Sequence, residues 1–201
     1  MSNTKNNSKV KDLITIGIFN ALLIVVFGAI ACTVGFFPPI LIILPLILST
    51  IGGLIFMLMI TKAPMRGIFI ISSALLGLVL FNMAPGGSMF ITTLAGGIIG
   101  EIIYNILGRK KFVSIAIGYS CYMLGLALGE YYPFLYMQEE YIKLYAQKGS
   151  QSLPVAQKCI EIMTPELMII LSVLTIITSV LGCLWGRKML HKHFLKAGIA
   201  R

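Results

Sequence analysis

The sequence predicts an all-α integral membrane protein: a single domain of six transmembrane helices, with both ends on the cytoplasmic side. Three observations carry that expectation. Hydrophobic residues make up 58% of the 201-residue chain and charged residues only 11%, well outside the soluble range. The apolar residues gather into six stretches divided by charged or turn-forming links. Lysine and arginine occupy alternate links: Lys5/Lys9/Lys11, Lys62/Arg66, Arg109/Lys110/Lys111 and Arg187/Lys188/Lys192/Lys196/Arg201. Thirteen of the sixteen basic residues fall there, and the other three, Lys143, Lys148 and Lys158, share one opposite gap. Basic residues that flank spans are retained in the cytoplasm, so the alternation orients the chain.

A hydrocarbon layer about 30 Å thick takes roughly 20 apolar residues of helix. Span 1 is expected at residues 13–34. It follows a basic start, and Ala29-Ile30-Ala31-Cys32 faintly resembles a lipoprotein cleavage site, but the stretch is long enough to be a retained helix. An outer turn with Pro38-Pro39 leads to span 2 at 40–61, and Lys62-Ala63-Pro64-Met65-Arg66 links to a short span 3 at 67–81. Breakers at 82–88 precede span 4 at 89–107, and span 5 at 112–129 closes at Glu130-Tyr131-Tyr132-Pro133. An outer segment, 130–166, follows, and its residues 136–147 read as a short amphipathic helix with Tyr141, Leu144 and Tyr145 on one side. Thr164-Pro165-Glu166 is a helix-start signal for span 6 at 167–185.

The net charge of +9 lies beside the spans, which points to anionic lipid and a cytoplasmic partner and not to nucleic acid. Cys121 and Cys183 read as packing residues, whereas Cys32 and Cys159 both fall near the outer face and leave a disulfide open. No Cys or His has metal-ligand spacing; His191 and His193 lie in the basic tail. No cofactor motif is present. A Walker-type phosphate loop is absent, so the chain has no means of powering transport by itself. With no histidine in a span, a Ser-His protease or histidine-metal hydrolase lacks its base, so the chain is expected not to be an enzyme.

Glu101 is the clearest anomaly, an ionisable group inside span 4 that insertion scales charge at about 2.5–3.5 kcal/mol. It either touches a partner or snorkels toward Arg109, about 12 Å along the helix. At the outer face Asn82, Ser88, Thr92 and Thr93 adjoin spans 3 and 4, and Glu130, Tyr131, Tyr132, Tyr136, Gln138, Glu139 and Glu140 follow span 5. Aromatic walls with a few polar groups suit a small-molecule pocket. An interfacial aromatic belt with solvated carboxylates is the alternative, favoured for Glu139 and Glu140. Gly17/Ala21 and Gly96/Gly100 are small-xxx-small pairs that let helices approach closely.

The tail from Leu181-Gly182-Cys183-Leu184-Trp185-Gly186-Arg187-Lys188 to Ala200 resembles the end of the Trep_Strep integral membrane family. So do the start, Lys11-Asp12-Leu13-Ile14-Thr15-Ile16-Gly17-Ile18-Phe19-Asn20-Ala21, and the run Ala95-Gly96-Gly97-Ile98-Ile99-Gly100-Glu101-Ile102-Ile103. That family belongs with the substrate-binding S components of energy-coupling factor (ECF) transporters. The resemblance implies a plasma-membrane protein that captures a small, vitamin-like organic solute on the outer face. It then docks on a transmembrane coupling subunit with two ATP-binding subunits. The resemblance puts the solute site at residues 88–93, 125–136 and 163–166 under a lid at 35–39, which adds Gly125 and Glu166 to the candidates. It gives Gly17 and Ala21 the docking role, with Glu101 as a further interface residue. A divalent-cation S component would carry an N-terminal histidine, which this chain lacks. A membrane enzyme using Glu101, Glu130 or Glu139/Glu140, and a self-sufficient channel or carrier, are the rival readings.

Overall fold

A computed structural model describes residues 2–34, 37–109, 111–148 and 152–194. Their elements are α1 (Ser2–Val34), α2 (Pro38–Lys62), α3 (Ile68–Val79), a 3-10 turn (Pro85–Gly87), α4 (Ser88–Leu107), α5 (Phe112–Tyr136), α6 (Gln138–Lys148), α7 (Ser152–Ile162) and α8 (Pro165–Met189), closed by a π turn (Leu190–Phe194). No strand occurs among the described residues. Five helices are long and apolar enough to cross a membrane: Lys9–Thr33, Pro38–Lys62, Pro85–Leu107, Phe112–Tyr136 and Pro165–Lys192. The segment expected as span 3 forms only the 12-residue α3. At 1.5 Å per residue it is about 18 Å long, short of a full crossing.

Contacts along the helices fix their directions. Asn20 and Phe27 of α1 meet Met59 and Gly52 of α2, so this pair is antiparallel. Ser49 and Gly53 of α2 meet Thr178 and Gly182 of α8, so those two run together. Gly77 of α3 lies on Phe90 and Gly67 on Glu101, which makes α3 and α4 antiparallel. Gly118 and Gly129 of α5 face Gly100 and Met89, reversing direction again. Phe112 under Arg187 and Tyr119 bonded to Ser49 complete the ring. Consequently α1, α3 and α5 run one way and α2, α4 and α8 the other. The start of α1 and the end of α8 lie at one end of the bundle.

The α4–α5 contact is the tightest. A methyl group at Gly96 would strike the Cys121 carbonyl, one at Gly125 the Thr92 carbonyl, and one at Gly100 would sit 2.5 Å from the Gly118 carbonyl. Small residues replace the hydrophobic effect as the means of association where lipid is the solvent. The expected Gly96/Gly100 pair therefore works inside the molecule.

Two apolar clusters stack along the bundle. The larger centres on Phe56, Phe69, Tyr104, Tyr119 and Tyr122, whose rings pack at 4.8–6.1 Å. The smaller joins Ile42, Ala127, Tyr131, Phe134, Tyr141, Ala156, Cys159, Met163 and Leu171 at the end where α2, α4 and α8 begin. Here α6 and α7 lie across the bundle: Tyr141 packs on Phe134 at 5.0 Å, the Tyr145 hydroxyl donates to the Met83 carbonyl, and Cys159 Sγ contacts the Pro38 carbonyl at 3.6 Å.

Several expectations are corrected. The outer segment 130–166 is not a loop: α5 continues to Tyr136, α6 matches the amphipathic helix, and α7 was not anticipated. Pro133 falls in the last turn of α5, where it removes the N–H that would bond the Gly129 carbonyl, yet the helix continues to Tyr136. Cys32 and Cys159 are free thiols, one exposed and one buried. Thr164 caps α8 as anticipated, accepting from the Leu167 N–H at 3.2 Å.

Gly96→Leu forces α4 away from α5. It is expected to cost about 1–3 kcal/mol, seen as a lower thermal unfolding midpoint of the detergent-solubilised protein, whereas Gly17→Leu, with nothing within 4 Å, leaves that midpoint unchanged.

Candidate functional site

Two glutamates are buried in the bundle, and they stand in opposite situations. Glu101 is 5% exposed on α4. Its carboxylate accepts from the Gly67 N–H at 2.7 Å, the Phe69 N–H at 3.1 Å and Asn105 Nδ2 at 2.8 Å. It thus caps the start of α3, whose Gly67 holds the left-handed φ of 84° that a side chain would resist. A helix N-terminus favours negative charge, so this carboxylate is compensated where it lies. Snorkelling toward Arg109 is not its arrangement, because both oxygens turn to α3.

Glu130 is 8% exposed on α5, and its Oε1 has no hydrogen-bond partner. Among the described residues no cation pairs with it; the ion pairs are Lys143–Glu139 and Lys158–Glu161, both on the exposed faces of α6 and α7. Further unsatisfied groups lie toward the same end of the bundle, Ser88 Oγ and Thr93 Oγ1 on α4, the Tyr131 hydroxyl on α5 and Ser172 Oγ on α8, while Asn20 Oδ1, Ser72 Oγ and the Tyr104 hydroxyl are unsatisfied elsewhere. Tyr131 and Thr93 are wholly buried. The Tyr131 hydroxyl lies beside Thr175, whose own hydroxyl donates to the Leu171 carbonyl. Buried polar atoms ordinarily have partners, and leaving one unmatched costs about 1–3 kcal/mol.

The crossing helices form the roof. Tyr141 and Tyr145 stack at 4.5 Å, one turn apart on α6. Burial, then the neighbouring Tyr145, then the charge of Glu130 push the Tyr141 hydroxyl far above the usual phenol range. Burial also raises Tyr145, with Glu130 and Cys159 adding to it against the bond to Tyr141. On α7 the Cys159 thiol is pushed up to about 12, by burial first and by Glu130 second. Glu130 therefore faces α6 and α7 electrostatically, and these groups stay neutral around it.

The sequence candidates divide accordingly. Ser88, Glu130 and Tyr131 enter the cluster. Thr92 is half-buried, with its hydroxyl returned to the Ser88 carbonyl, and Gly125 is filled by the α4 backbone, so both serve the helix contact. Tyr132 and Tyr136, 45% and 60% exposed and paired at 4.9 Å, point outward as a belt pair would. Asn82 is exposed in the turn after α3, and Glu166 is exposed in the first turn of α8. Glu139 and Glu140 are exposed on α6. Gly35 and Phe36 of the expected lid lie outside the described residues, as do Lys110 and residues 195–201 of the tail. Gly17 and Ala21 are exposed on α1. Ser172, Cys159 and the tyrosine pair of α6 were not singled out as site residues. For α7 a signal existed, since Ala156, Cys159, Ile160 and Met163 recur at helical spacing.

A family model described as "Hypothetical bacterial integral membrane protein (Trep_Strep)" matches residues 10–196. The chain belongs to this family. No curated protein and no solved structure matches it. Membership in the Trep_Strep family and the five apolar helices make this a multi-pass membrane protein. No group of three or more His, Cys, Asp or Glu suited to a metal ion occurs among the described residues of this Trep_Strep protein.

Glu101→Ala is expected to destabilise by about 1–3 kcal/mol for each α3 N–H it orphans, and Glu101→Gln by less, because one oxygen still accepts. Thermal unfolding of the two variants checks the order.

Proposed function

We propose that this protein is the substrate-binding component of an ECF-type importer in the bacterial plasma membrane, not an enzyme. It captures a small organic solute at the α6–α7 end and docks on a coupling subunit with two ATP-binding subunits. The observation that carries this reading is the buried Glu130 carboxyl, whose Oε1 has no partner, at the end of the bundle where α6 and α7 pack and where Ser88, Thr93, Tyr131 and Ser172 are also unsatisfied. Such a set suits a solute that supplies the missing partners.

The alternating helix directions support six crossings, with α3 as a short sixth and both ends cytoplasmic. The basic links Lys62/Arg66 and Arg109/Lys111 and the start of the basic tail then gather at the end opposite the roof. The open face of α1 supports docking. Leu13, Ile14, Ile18, Leu22 and Val25 are exposed there, and nothing lies within 4 Å of a methyl group at Gly17 or Gly28. Glu101 enters this reading only indirectly, by holding α3 in place.

Two outcomes test the reading. Affinity purification from native membranes is expected to bring down ATP-binding subunits, and Gly17→Leu or Ala21→Leu to reduce their yield severalfold without altering solute binding. A chain that purifies alone and transports in liposomes would replace this reading with a self-sufficient carrier. For topology, in a Cys32→Ser background a Lys143→Cys variant should react with an impermeant maleimide in intact cells and Pro64→Cys only after permeabilisation, the reverse pattern being fatal to the orientation.

A further inference from the structure

Resting on that reading, the Glu130 cluster also indicates what kind of solute it takes. The groups awaiting partners are of two kinds. Hydroxyls of Ser88, Thr93, Tyr131 and Ser172 both donate and accept, so they do not discriminate between solutes. The Glu130 carboxylate does. When ionised it only accepts, and it is the one charged member of the set.

The walls carry the same preference. Phe134, Tyr141 and Tyr145 bring three rings to the face of α5 and α6 that Glu130 shares, with centroids 5.0 and 4.5 Å apart. Aromatic faces are negative at the centre and attract cations. Among the described residues, the titratable groups of α6 and α7 that meet Glu130 are the phenols of Tyr141 and Tyr145 and the thiol of Cys159, none of which brings positive charge. An anionic solute would face Glu130 only in its protonated form and gain no charge pair, whereas a cation draws the carboxyl into its ionised form. A hard divalent ion wants six or more oxygens and usually several carboxylates, and here there is one.

We infer that the solute is a small organic monocation, carrying an ammonium or protonated ring nitrogen that sits between the Glu130 carboxylate and the Tyr141/Tyr145 rings. Glu130 supplies the counter-charge, the rings supply the walls, and the hydroxyls of Ser88, Thr93, Tyr131 and Ser172 orient the remainder of the molecule. The bundle then carries one buried charge pair when loaded and an unpartnered carboxyl group when empty.

The test uses the purified full chain alone in detergent, with matched probes: benzylammonium against benzyl alcohol and benzoate, and tetramethylammonium against neopentyl alcohol. At least one cation is expected to raise the unfolding midpoint saturably while its neutral and anionic counterparts do not. Glu130→Gln should weaken that response about a hundredfold or more, and Glu130→Asp, which keeps the charge on a shorter stem, should weaken it less. Equal shifts with the neutral or anionic probes, no shift with either cation, or a response that survives Glu130→Gln would overturn the inference. Because no ATPase is present in this assay, its failure is separate from that of the importer reading. Cation binding without co-purified ATPases would reject only the importer, and co-purified ATPases without cation binding would reject only the solute class.

Discussion

The molecule depends on how closely α4 and α5 approach each other. At Gly96, Gly100 and Gly125 the two backbones touch directly, and at Gly129 the helix meets Met89 and the Thr92 side chain. In lipid there is no hydrophobic gain from pushing apolar helices together, so this contact rests on dispersion between backbones and on the absence of Cβ atoms. Everything at the roofed end inherits its position from it. Ser88 and Thr93 are carried by one helix, Glu130 and Tyr131 by the other, and α3 is fastened to the outside of α4 through Gly77, Gly97 and Glu101.

The two buried glutamates show how one residue type takes different parts by environment. Glu101 is surrounded by donors that belong to the protein, and the energy of burying it is offset by capping a helix that would otherwise begin with unmatched N–H groups. Glu130 has neighbours of similar polarity but none positioned to donate to its Oε1. Of its two buried carboxyl groups, the bundle satisfies the one at the start of α3 fully and leaves the one under α6 and α7 wanting.

Much of this was legible in the sequence, and the rest was hidden for identifiable reasons. Hydropathy placed the long helices within a few residues, because the apolar length needed by a bilayer is a strong constraint. It failed at α5, where Pro133 reads as a terminator yet is absorbed in the last turn, and that failure moved Glu130 and Tyr131 from a supposed loop into a buried helix. It failed at α7 because Pro154 and the polar residues around it mask a periodic apolar face. The partner of Glu101 was out of reach because it lies 34 positions away on another helix. Glu130, by contrast, stood out by type and place, but only its burial separated it from the exposed acids Glu139 and Glu140 nearby.

The brevity of α3 has a mechanical consequence. Its exposed Ile70, Leu75, Leu78 and Val79 cover about 18 Å of a hydrocarbon layer of about 30 Å, while α2 and α4 beside it are much longer. Acyl chains against that flank must shorten, or the whole bundle must lean, and either adjustment costs a fraction of a kcal/mol per Å of mismatch. The bundle therefore presents a shorter apolar flank along α3 than along α2 and α4, and a hydrocarbon layer of even thickness does not match both.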